Sequence, residues 1–338
     1  MSPESPIPQR TIRLALRVSL MLFLPLWFIQ PLSAQDIHFS QQDANPMLMN
    51  PAYTGFYEGT GRFGLLYRNQ WVTVSVPFQT CAMTAEVSLH RNHSKMRGLN
   101  LGLTAYSDVA GSLHYGILSG HLSMSYYLAL NQRRTQFLSF GVEGAFAQAG
   151  FNPDRAEMTD PSELFEKRQV VYPTFATGIA WYAQPHGDWQ LKAGLAVHNL
   201  NRPNISYMKL DDTHLEPRYC LFARAEYRCW LAASLQPLLM VQLQRNYREI
   251  VYGLDVKWYL EESSHRQTSL STGLAHRYGD ALITHLTLEY NAFLFSFYYD
   301  ANLSSLSKAS HTLGAFELGL VYRLSRTKGI KSVKCPVF

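Results

Sequence analysis

The clearest structural signal in this sequence is the stretch Trp189-Gln190-Leu191-Lys192-Ala193-Gly194-Leu195-Ala196-Val197-His198. Its odd-numbered positions are all apolar or aromatic, whereas polar residues and glycine fill most of the even-numbered positions. Side chains on a β-strand point alternately to opposite faces, so this pattern predicts a strand with one apolar face and one polar face. The apolar row begins with a tryptophan, a residue type that is enriched where a membrane meets water.

The same two-residue period continues along the chain from Gly61 onward. Residues 250–258 and 282–290 have apolar side chains at alternate positions, and each apolar row ends in an aromatic residue. A soluble β-sandwich also alternates, but its apolar face looks inward and its outer face usually carries far more charge. In a membrane barrel, apolar side chains contact lipid, aromatic ones lie at the headgroups and polar rows face the lumen. The terminal aromatics therefore favour the membrane barrel.

The number of such segments predicts the size of the barrel. They begin near Gly61, Thr80, Gly98, Ser112, Gln136, Tyr172, Gly187, Glu216, Leu235, Tyr247, Gln267, Asp280, Ala292 and Leu313. We therefore predict an all-β outer-membrane barrel of about 14 antiparallel strands over residues 61–338. An even number of strands places both ends of the chain on the periplasmic side. Two long connections, residues 151–171 and 199–217, are expected to be contact surfaces because loops of this length are often functional.

The composition agrees with a membrane barrel. Charged residues make up 16% of the chain, against about 25% in typical soluble domains, and aromatic residues make up 13%. No apolar run reaches the roughly 18 residues of a transmembrane helix. The 30 Lys and Arg residues nearly balance the 25 Asp and Glu residues, so the net charge gives no reason to expect a nucleic-acid partner. The four cysteines have no close spacing that would indicate a metal or redox site.

Residues 1–34 have the pattern of a signal peptide. Basic residues precede an apolar core, Leu20 to Ile29, and Ala34 offers a small residue before a cut at Gln35. A membrane anchor is the alternative, but spanning the hydrocarbon layer needs about 20 apolar residues, and this core is much shorter. We therefore predict that residues 1–34 direct export and are removed.

The stretch from Gln35 to Gly55 contains two Asn-Pro steps, Asn45-Pro46 and Asn50-Pro51. Proline lacks the backbone N–H and biases the residue before it toward extended geometry, so a helix is disfavoured. Asparagine suits turn positions, where its side chain can bond the nearby backbone. We predict an ordered, bent segment that is neither strand nor helix.

Several blocks of the sequence resemble the PorP/SprF family, the outer-membrane proteins of the type IX secretion system. The opening blocks are Gln35-Asp36, Phe39-Ser40-Gln41, Asn45-Pro46, Asn50-Pro51-Ala52-Tyr53-Thr54-Gly55 and Tyr67-Arg68-Asn69-Gln70-Trp71. Later blocks are residues 198–204, 217–219, 299–306 and 334–338. The resemblance implies a non-enzymatic role in exporting secreted proteins or anchoring them at the cell surface, gliding adhesins included. The implied partners are periplasmic or peptidoglycan-linked proteins and lipoproteins of the same system, the C-terminal domains of secreted cargo, and outer-membrane lipid.

The resemblance also suggests where partners bind. Asn50-Pro51-Ala52 is similar to a box in the N-terminal hatch of fatty-acid-transport-type barrels, which supports residues 35–60 as a plug in or across the periplasmic mouth. The predicted plug and partner-binding residues are Phe39, Asn45, Pro46, Asn50, Pro51, Tyr53, Gly55, Arg68 and Trp71. The family has no established catalytic residues, so we predict no catalytic, cofactor-binding or metal-binding residue.

Two other function classes remain open. A channel or carrier for hydrophobic small molecules would need a continuous apolar path through the lumen. Charged residues predicted to face the lumen argue against that path: Arg68, Lys192, Arg224, Glu226, Asp255, Lys257 and Glu289. An outer-membrane enzyme would need a nucleophile and a base that converge from neighbouring strands, and no sequence motif indicates such a site.

Overall fold

The structure is a computed structural model, and it describes most of the chain after residue 38. The described residues are 39–42, 44–57, 59–70, 77–89, 98–111, 115–151, 169–185, 187–207, 213–230, 232–263, 266–303 and 313–324. The predicted signal peptide, residues 1–34, lies outside them.

The described residues form a closed barrel of fourteen antiparallel strands. The strands are β1 Gly61–Gln70, β2 Phe78–Ser88, β3 Gly98–Ala110, β4 Tyr115–Ala129, β5 Gln136–Gly150, β6 Gln169–Ala183, β7 Trp189–His198, β8 Arg218–Trp230, β9 Ala233–Gln244, β10 Tyr247–Glu262, β11 Gln267–Arg277, β12 Ala281–Tyr290, β13 Phe293–Asn302 and β14 Leu313–Leu324. Each strand pairs with its neighbour in sequence, and β1 pairs with β14, which closes the sheet. Closure leaves no exposed strand edge. The predicted barrel is confirmed.

The predicted strand starts are close to those in the structure. Six are identical, and the largest differences are at β4, which begins at Tyr115 instead of Ser112, and β6, which begins at Gln169 instead of Tyr172. The long connection predicted over residues 151–171 is therefore shorter than expected. Pro173 lies inside β6, as the predicted start at Tyr172 implies, although proline cannot donate to the ladder.

The outer and inner faces of the barrel have the polarity that the alternation predicts. On β7, Leu195 points outward and is exposed, whereas Ala196 and His198 point inward and are buried. Phe146 on β5 is 69% exposed. Buried serine, threonine and charged side chains line much of the interior. Apolar residues outside and polar residues inside are what a barrel in lipid requires.

The two ends of the barrel differ in their connections. We call the end where β1 begins and β14 ends the near rim, and the opposite end the far rim. At the near rim, the Thr60 amide donates to the Leu324 carbonyl at 2.7 Å. Both predicted long connections, β5–β6 and β7–β8, lie at the far rim. The second of these is tied together by an Arg202–Glu216 ion pair at 2.7 Å.

The bent segment before β1 contains two one-turn 3₁₀ helices, Pro46–Leu48 and Pro51–Tyr53, so the prediction of no helix there was wrong. Each proline stands at the start of its turn, where a missing N–H costs no hydrogen bond. None of the described helices is both long and apolar enough to cross a membrane.

Candidate functional site

The segment that precedes β1 lies inside the barrel. We call residues 39–57, of which residue 43 is not described, the lumen segment. Met47 and Tyr53 in this segment are completely buried, although neither belongs to a strand of the barrel. They pack against inward-facing side chains of the strands. The lumen is therefore occupied by the chain itself.

Asn50 fixes the second 3₁₀ turn and ties it to the wall. Its Oδ1 accepts a hydrogen bond from the Ala52 amide at 2.8 Å, which caps the turn. Its Nδ2 donates to the carbonyls of Ile179 on β6 and Leu195 on β7, both at 3.1 Å. Ile179 and Leu195 are directly paired across these two strands. One amide side chain thus joins the turn to two adjacent strands.

Wall side chains bond the backbone carbonyls of the same turn. The Ala52 carbonyl accepts from the Tyr127 hydroxyl at 3.1 Å and from the Ser139 hydroxyl at 2.7 Å. The Thr54 carbonyl accepts from the Ser125 hydroxyl at 2.6 Å. Because an unpaired buried carbonyl is costly, these donors stabilise the segment in the lumen.

Glycines in the wall leave the space that the turn occupies. A Cβ atom at Gly141 on β5 would overlap the backbone of Pro51 and Ala52, and one at Gly178 on β6 would overlap the Asn50 side chain. Both glycines have ordinary strand backbone geometry, so glycine is needed at these positions only because the turn comes so close to the wall. The wall and the turn are sterically matched.

Tyr53 anchors the turn through its ring. It meets Phe222 edge-on, with ring centroids 6.2 Å apart, and packs in the same apolar cluster as Met240. The Lys192 ammonium lies 4.1 Å from the Tyr53 ring centroid, within cation–π range. Burial raises the pKa of the Tyr53 phenol, which therefore stays neutral.

The beginning of the segment is held by a buried charge cluster. The amides of Ser40 and Gln41 donate to the two oxygens of the Glu317 carboxylate, each at 2.8 Å. The Ser40 hydroxyl donates to Asp300 at 2.7 Å and accepts from the Arg277 guanidinium at 2.7 Å.

Arg68 completes this cluster and balances its charge. Its guanidinium pairs with Asp300 at 3.2 Å and with Glu317. Arg277 also pairs with Asp300, at 3.1 Å. Buried charges persist in proteins when they are paired, and here the amides of Ser40 and Gln41 add two hydrogen bonds to Glu317.

A second buried pair holds the other end of the segment. The Gly55 amide donates to Glu86 at 2.7 Å, and Arg62 pairs with the same carboxylate at 2.9 Å. Arg62 also donates to the Ala44 carbonyl at 3.1 Å. Gly55 has φ +79°, a conformation that glycine adopts without strain.

The segment therefore runs along the lumen from its far half to the near rim. Ser40 contacts Arg68, Asp300 and Arg277, which lie in the last parts of β1, β13 and β11, toward the far rim. The chain leaves the lumen at Thr60, which bonds to Leu324 at the near rim.

The structure brings most of the sequence-predicted site residues into this one region. Phe39, Asn45, Pro46, Asn50, Pro51, Tyr53 and Gly55 belong to the lumen segment, and Arg68 contacts Ser40. Trp71 lies outside the described residues. Asn45, in contrast to Asn50, makes no capping bond, so the expectation that both asparagines bond the nearby backbone was wrong for Asn45.

Sequence reasoning missed residues that hold the two ends of the segment. Ser40, Glu86, Arg277 and Glu317 were not singled out as site residues, although each is buried in the lumen. The available signal was a charged residue on the inward row of a strand, as at Glu317 on β14. That signal shows only which way a side chain points and not what it meets.

No cluster of three or more His, Cys, Asp or Glu ligands within the described parts of the chain could hold a metal ion. Cys81 is exposed, Cys220 is buried and Cys229 is half-buried.

Comparison with known sequences identifies one family. The sequence model of the type IX secretion system membrane protein PorP/SprF family matches residues 32–322, which is most of the chain. No curated protein matches the sequence.

Two solved structures to which the chain is similar are toluene transporters. The toluene transporter TbuX of Ralstonia pickettii is 10% identical, with a TM-score of 0.48 over 82% of this chain and 92% of that chain. The P. putida toluene transporter TodX is 8% identical, with a TM-score of 0.49 over 84% of this chain and 95% of that chain.

Proposed function

Since this chain belongs to the PorP/SprF family of type IX secretion system membrane proteins, we propose that it supports the export of secreted proteins or their anchoring at the cell surface, gliding adhesins included. The chain is an outer-membrane β-barrel and a membrane component of that secretion system.

In this proposal, residues 35–60 act as a plug. The supporting observation is that the Asn50–Tyr53 turn is hydrogen-bonded to the barrel wall. Asn50 donates to backbone carbonyls on β6 and β7. The Ala52 carbonyl accepts from the hydroxyls of Tyr127 and Ser139. A segment that fills the lumen with matched contacts suits a component that binds other proteins at its rims. It does not suit an open conduit.

The two rims have different roles in the proposal. Bacterial outer-membrane barrels have short periplasmic turns and longer extracellular loops. The long β5–β6 and β7–β8 connections lie at the far rim, so we assign the far rim to the cell surface and the near rim to the periplasm. Periplasmic or peptidoglycan-linked proteins and lipoproteins of the system would then bind at the near rim, where the lumen segment leaves the barrel. The far-rim connections would receive the C-terminal domain of secreted cargo.

The experiment compares two deletions in the full-length chain. One removes Asn45 to Gly55, and the other removes the same number of residues from within 152–168. Affinity purification from native membranes with mass spectrometry measures the partners, and surface labelling measures cargo display. Resistance of each barrel to heat-induced unfolding in detergent checks that it has assembled.

We expect the first deletion to abolish recovery of periplasmic partners. The barrel should still assemble, because Arg68 and Arg277 keep their pairs with Asp300 and Glu249 within the wall. The second deletion should keep those partners and reduce cargo display. Normal partner recovery and cargo display after deletion of Asn45 to Gly55 would refute the docking role.

A channel for hydrophobic small molecules is the alternative function. It requires an apolar path, but Arg224 pairs with Asp255 at 3.0 Å and Lys257 pairs with Glu289 at 3.1 Å on the inner wall. Flux of an apolar solute through liposomes that contain the purified protein would favour this alternative over docking.

A further inference from the structure

A serine, a histidine and a glutamate converge on the inner wall between β4 and β5. The Ser119 hydroxyl lies 2.9 Å from His121 Nε2, and His121 Nδ1 lies 2.8 Å from Glu143 Oε1. Ser119 and His121 are two residues apart on the inward row of β4, and Glu143 is on the neighbouring strand. Both distances are within the hydrogen-bond reach of a nucleophile, its general base and the group that orients the base.

We propose that Ser119, His121 and Glu143 form a hydrolytic site for short acyl esters. Ser119 is the nucleophile and His121 is the general base. Glu143 is the positioning residue, because it acts only through the imidazole. This activity goes beyond the proposed role in secretion and does not depend on it.

The plainest alternative is that the three side chains only satisfy one another in a polar lumen. The cavity that they share argues against this. Ser119, His121 and Glu143 line a cavity of about 40 Å³ together with Leu48 and Arg218. Asn199 and Leu215, from the β7–β8 connection at the far rim, line it as well. A purely structural network has no need of a lined space at its nucleophile.

Neighbouring groups fix the orientation of the three residues. The His121 ring packs on Tyr106, with centroids 5.3 Å apart. The second Glu143 oxygen accepts from the Ser123 hydroxyl at 2.6 Å, which leaves the first oxygen for His121. The single Ser119 proton can go to His121 Nε2 at 2.9 Å or to the Phe146 carbonyl at 3.2 Å, and the shorter contact is to the base.

The reaction is acyl transfer to serine followed by hydrolysis. Ser119 Oγ attacks the ester carbonyl carbon while its proton passes to His121 Nε2. The tetrahedral intermediate expels the alcohol, which takes that proton and leaves an acyl group on Ser119. A water molecule then attacks the acyl carbon and gives its proton to His121. Collapse releases the carboxylic acid and returns the proton to Ser119.

Side chains must stabilise the oxyanion, because strand amides are committed to the sheet ladder. Arg218 and Asn199 line the cavity and carry suitable donors. Arg218 also donates to the Leu48 carbonyl of the lumen segment at 3.2 Å. The lumen segment therefore both forms one wall of the cavity and positions Arg218.

The size of the cavity sets the substrate class. A space of about 40 Å³ admits an acyl group of acetyl size and excludes a full lipid chain. Leu48, Ala147 and Leu215 supply apolar wall for the acyl methyl group.

The test uses the full-length protein, purified in detergent, with p-nitrophenyl acetate as the substrate. Ser119→Ala and His121→Phe should each lower kcat/KM by roughly 100-fold or more. Glu143→Gln should also lower it, and Glu143→Asp should restore part of the rate, which a residue that only fills space would not do. Ser269→Ala is the matched control, since Ser269 is a buried lumen serine that donates to a glutamate at 3.0 Å without a histidine.

Labelling with a fluorophosphonate gives a second readout that does not depend on the choice of substrate. Peptide mass spectrometry should place the label on Ser119 in the wild-type protein and in Ser269→Ala, and should find no label in Ser119→Ala. Labelling at Ser119 would overturn the sequence-based prediction that the chain is not an enzyme. Equal turnover in wild type and Ser119→Ala, or no label on Ser119 in a folded barrel, would overturn the proposal and leave the secretion role intact.

Discussion

The Ser40 hydroxyl donates a 2.7 Å hydrogen bond to the Asp300 carboxylate, although the two residues are 260 positions apart in the chain. The bond joins the start of the lumen segment to the far part of β13. Asp300 also pairs with Arg68 and Arg277, so one carboxylate links the segment to two cations on the wall.

Removing the charge of Asp300 should therefore destabilise the protein strongly. Asp300→Asn removes one carboxylate partner from each of two buried guanidinium groups, which keep Glu317 and Glu249, and we expect a loss of about 2–3 kcal/mol. Ser40→Ala removes a neutral hydroxyl whose partners, Asp300, Arg68 and Arg277, keep their ion pairs, and should cost about 1–2 kcal/mol. Urea unfolding in detergent, followed by tryptophan fluorescence, measures both changes.

The control for this prediction is an exposed ion pair of similar geometry. Glu262 pairs with Arg228 at 2.7 Å near the opposite rim, and more than half of the Glu262 side chain is exposed. Glu262→Gln should change the free energy of unfolding by about 1 kcal/mol or less. Equal effects of Asp300→Asn and Glu262→Gln would contradict the importance of the buried cluster.

The two Asn-Pro asparagines should differ sharply on substitution. Asn50→Ala removes three hydrogen bonds, to Ala52, Ile179 and Leu195, and should cost about 3 kcal/mol at about 1 kcal/mol each. The amide atoms of Asn45 have no hydrogen-bond partner among the described residues, so Asn45→Ala should cost little. Thermal unfolding of the two variants side by side tests this, and similar losses would be evidence against the docking geometry of Asn50.

A methyl group at Gly141 should displace the lumen segment. The new Cβ in Gly141→Ala would overlap the Ala52 backbone. Chymotrypsin should then cut faster after Leu48 and Tyr53 than in the wild-type protein, as followed by mass spectrometry.

Gly144→Ala is the matched control on the same strand. Its Cβ would meet the Phe175 ring at 3.7 Å, an ordinary contact on the outer face. Protection of the segment should be unchanged in this variant. If Gly141→Ala stays as protected as Gly144→Ala, the steric match between wall and turn is not what seats the segment.

A charge on the outer face should prevent stable insertion only at the middle of the barrel wall. Leu122 stands at the centre of β4 and is 57% exposed, whereas Leu130 follows the end of β4 at the near rim and is 51% exposed. Leu122→Arg should cost about 2–4 kcal/mol, and Leu130→Arg about 1 kcal/mol or less, because the cost of arginine in lipid depends on depth. The yield of heat-resistant barrel in outer-membrane fractions measures the difference. Equal yields from both variants would argue against a lipid-facing row on β4.

The alternating pattern allowed most of the barrel to be predicted from the sequence. On β7, the odd-numbered row from Trp189 to Val197 indicated both the strand and its outward face. A two-residue period depends only on local geometry and on which solvent each face meets, so it can be read without knowing the neighbours. The start of β6 shows the limit, since the strand begins at Gln169, three residues before the predicted Tyr172.

The site was predicted less completely. The resemblance of the Asn50–Gly55 block to a family signature singled out residues that lie in the lumen. It gave no reason to expect different hydrogen bonding from Asn45 and Asn50, because both precede a proline. The two differ because only Asn50 bonds carbonyls of the barrel wall. It likewise could not bring Ser119 and His121 together with Glu143, since serine and histidine are common in this chain and their contacts depend on strand register.

The sequence by itself determined the strands and their inward and outward rows, since both follow from interactions between residues close together in the chain. Only the tertiary structure decided which inward side chains meet. The pairing of Ser40 with Asp300, the fit of Ala52 against Gly141 and the contact of His121 with Glu143 arise when the sheet closes. Closure fixes the register of all strands at once and brings distant residues to the same level of one narrow lumen.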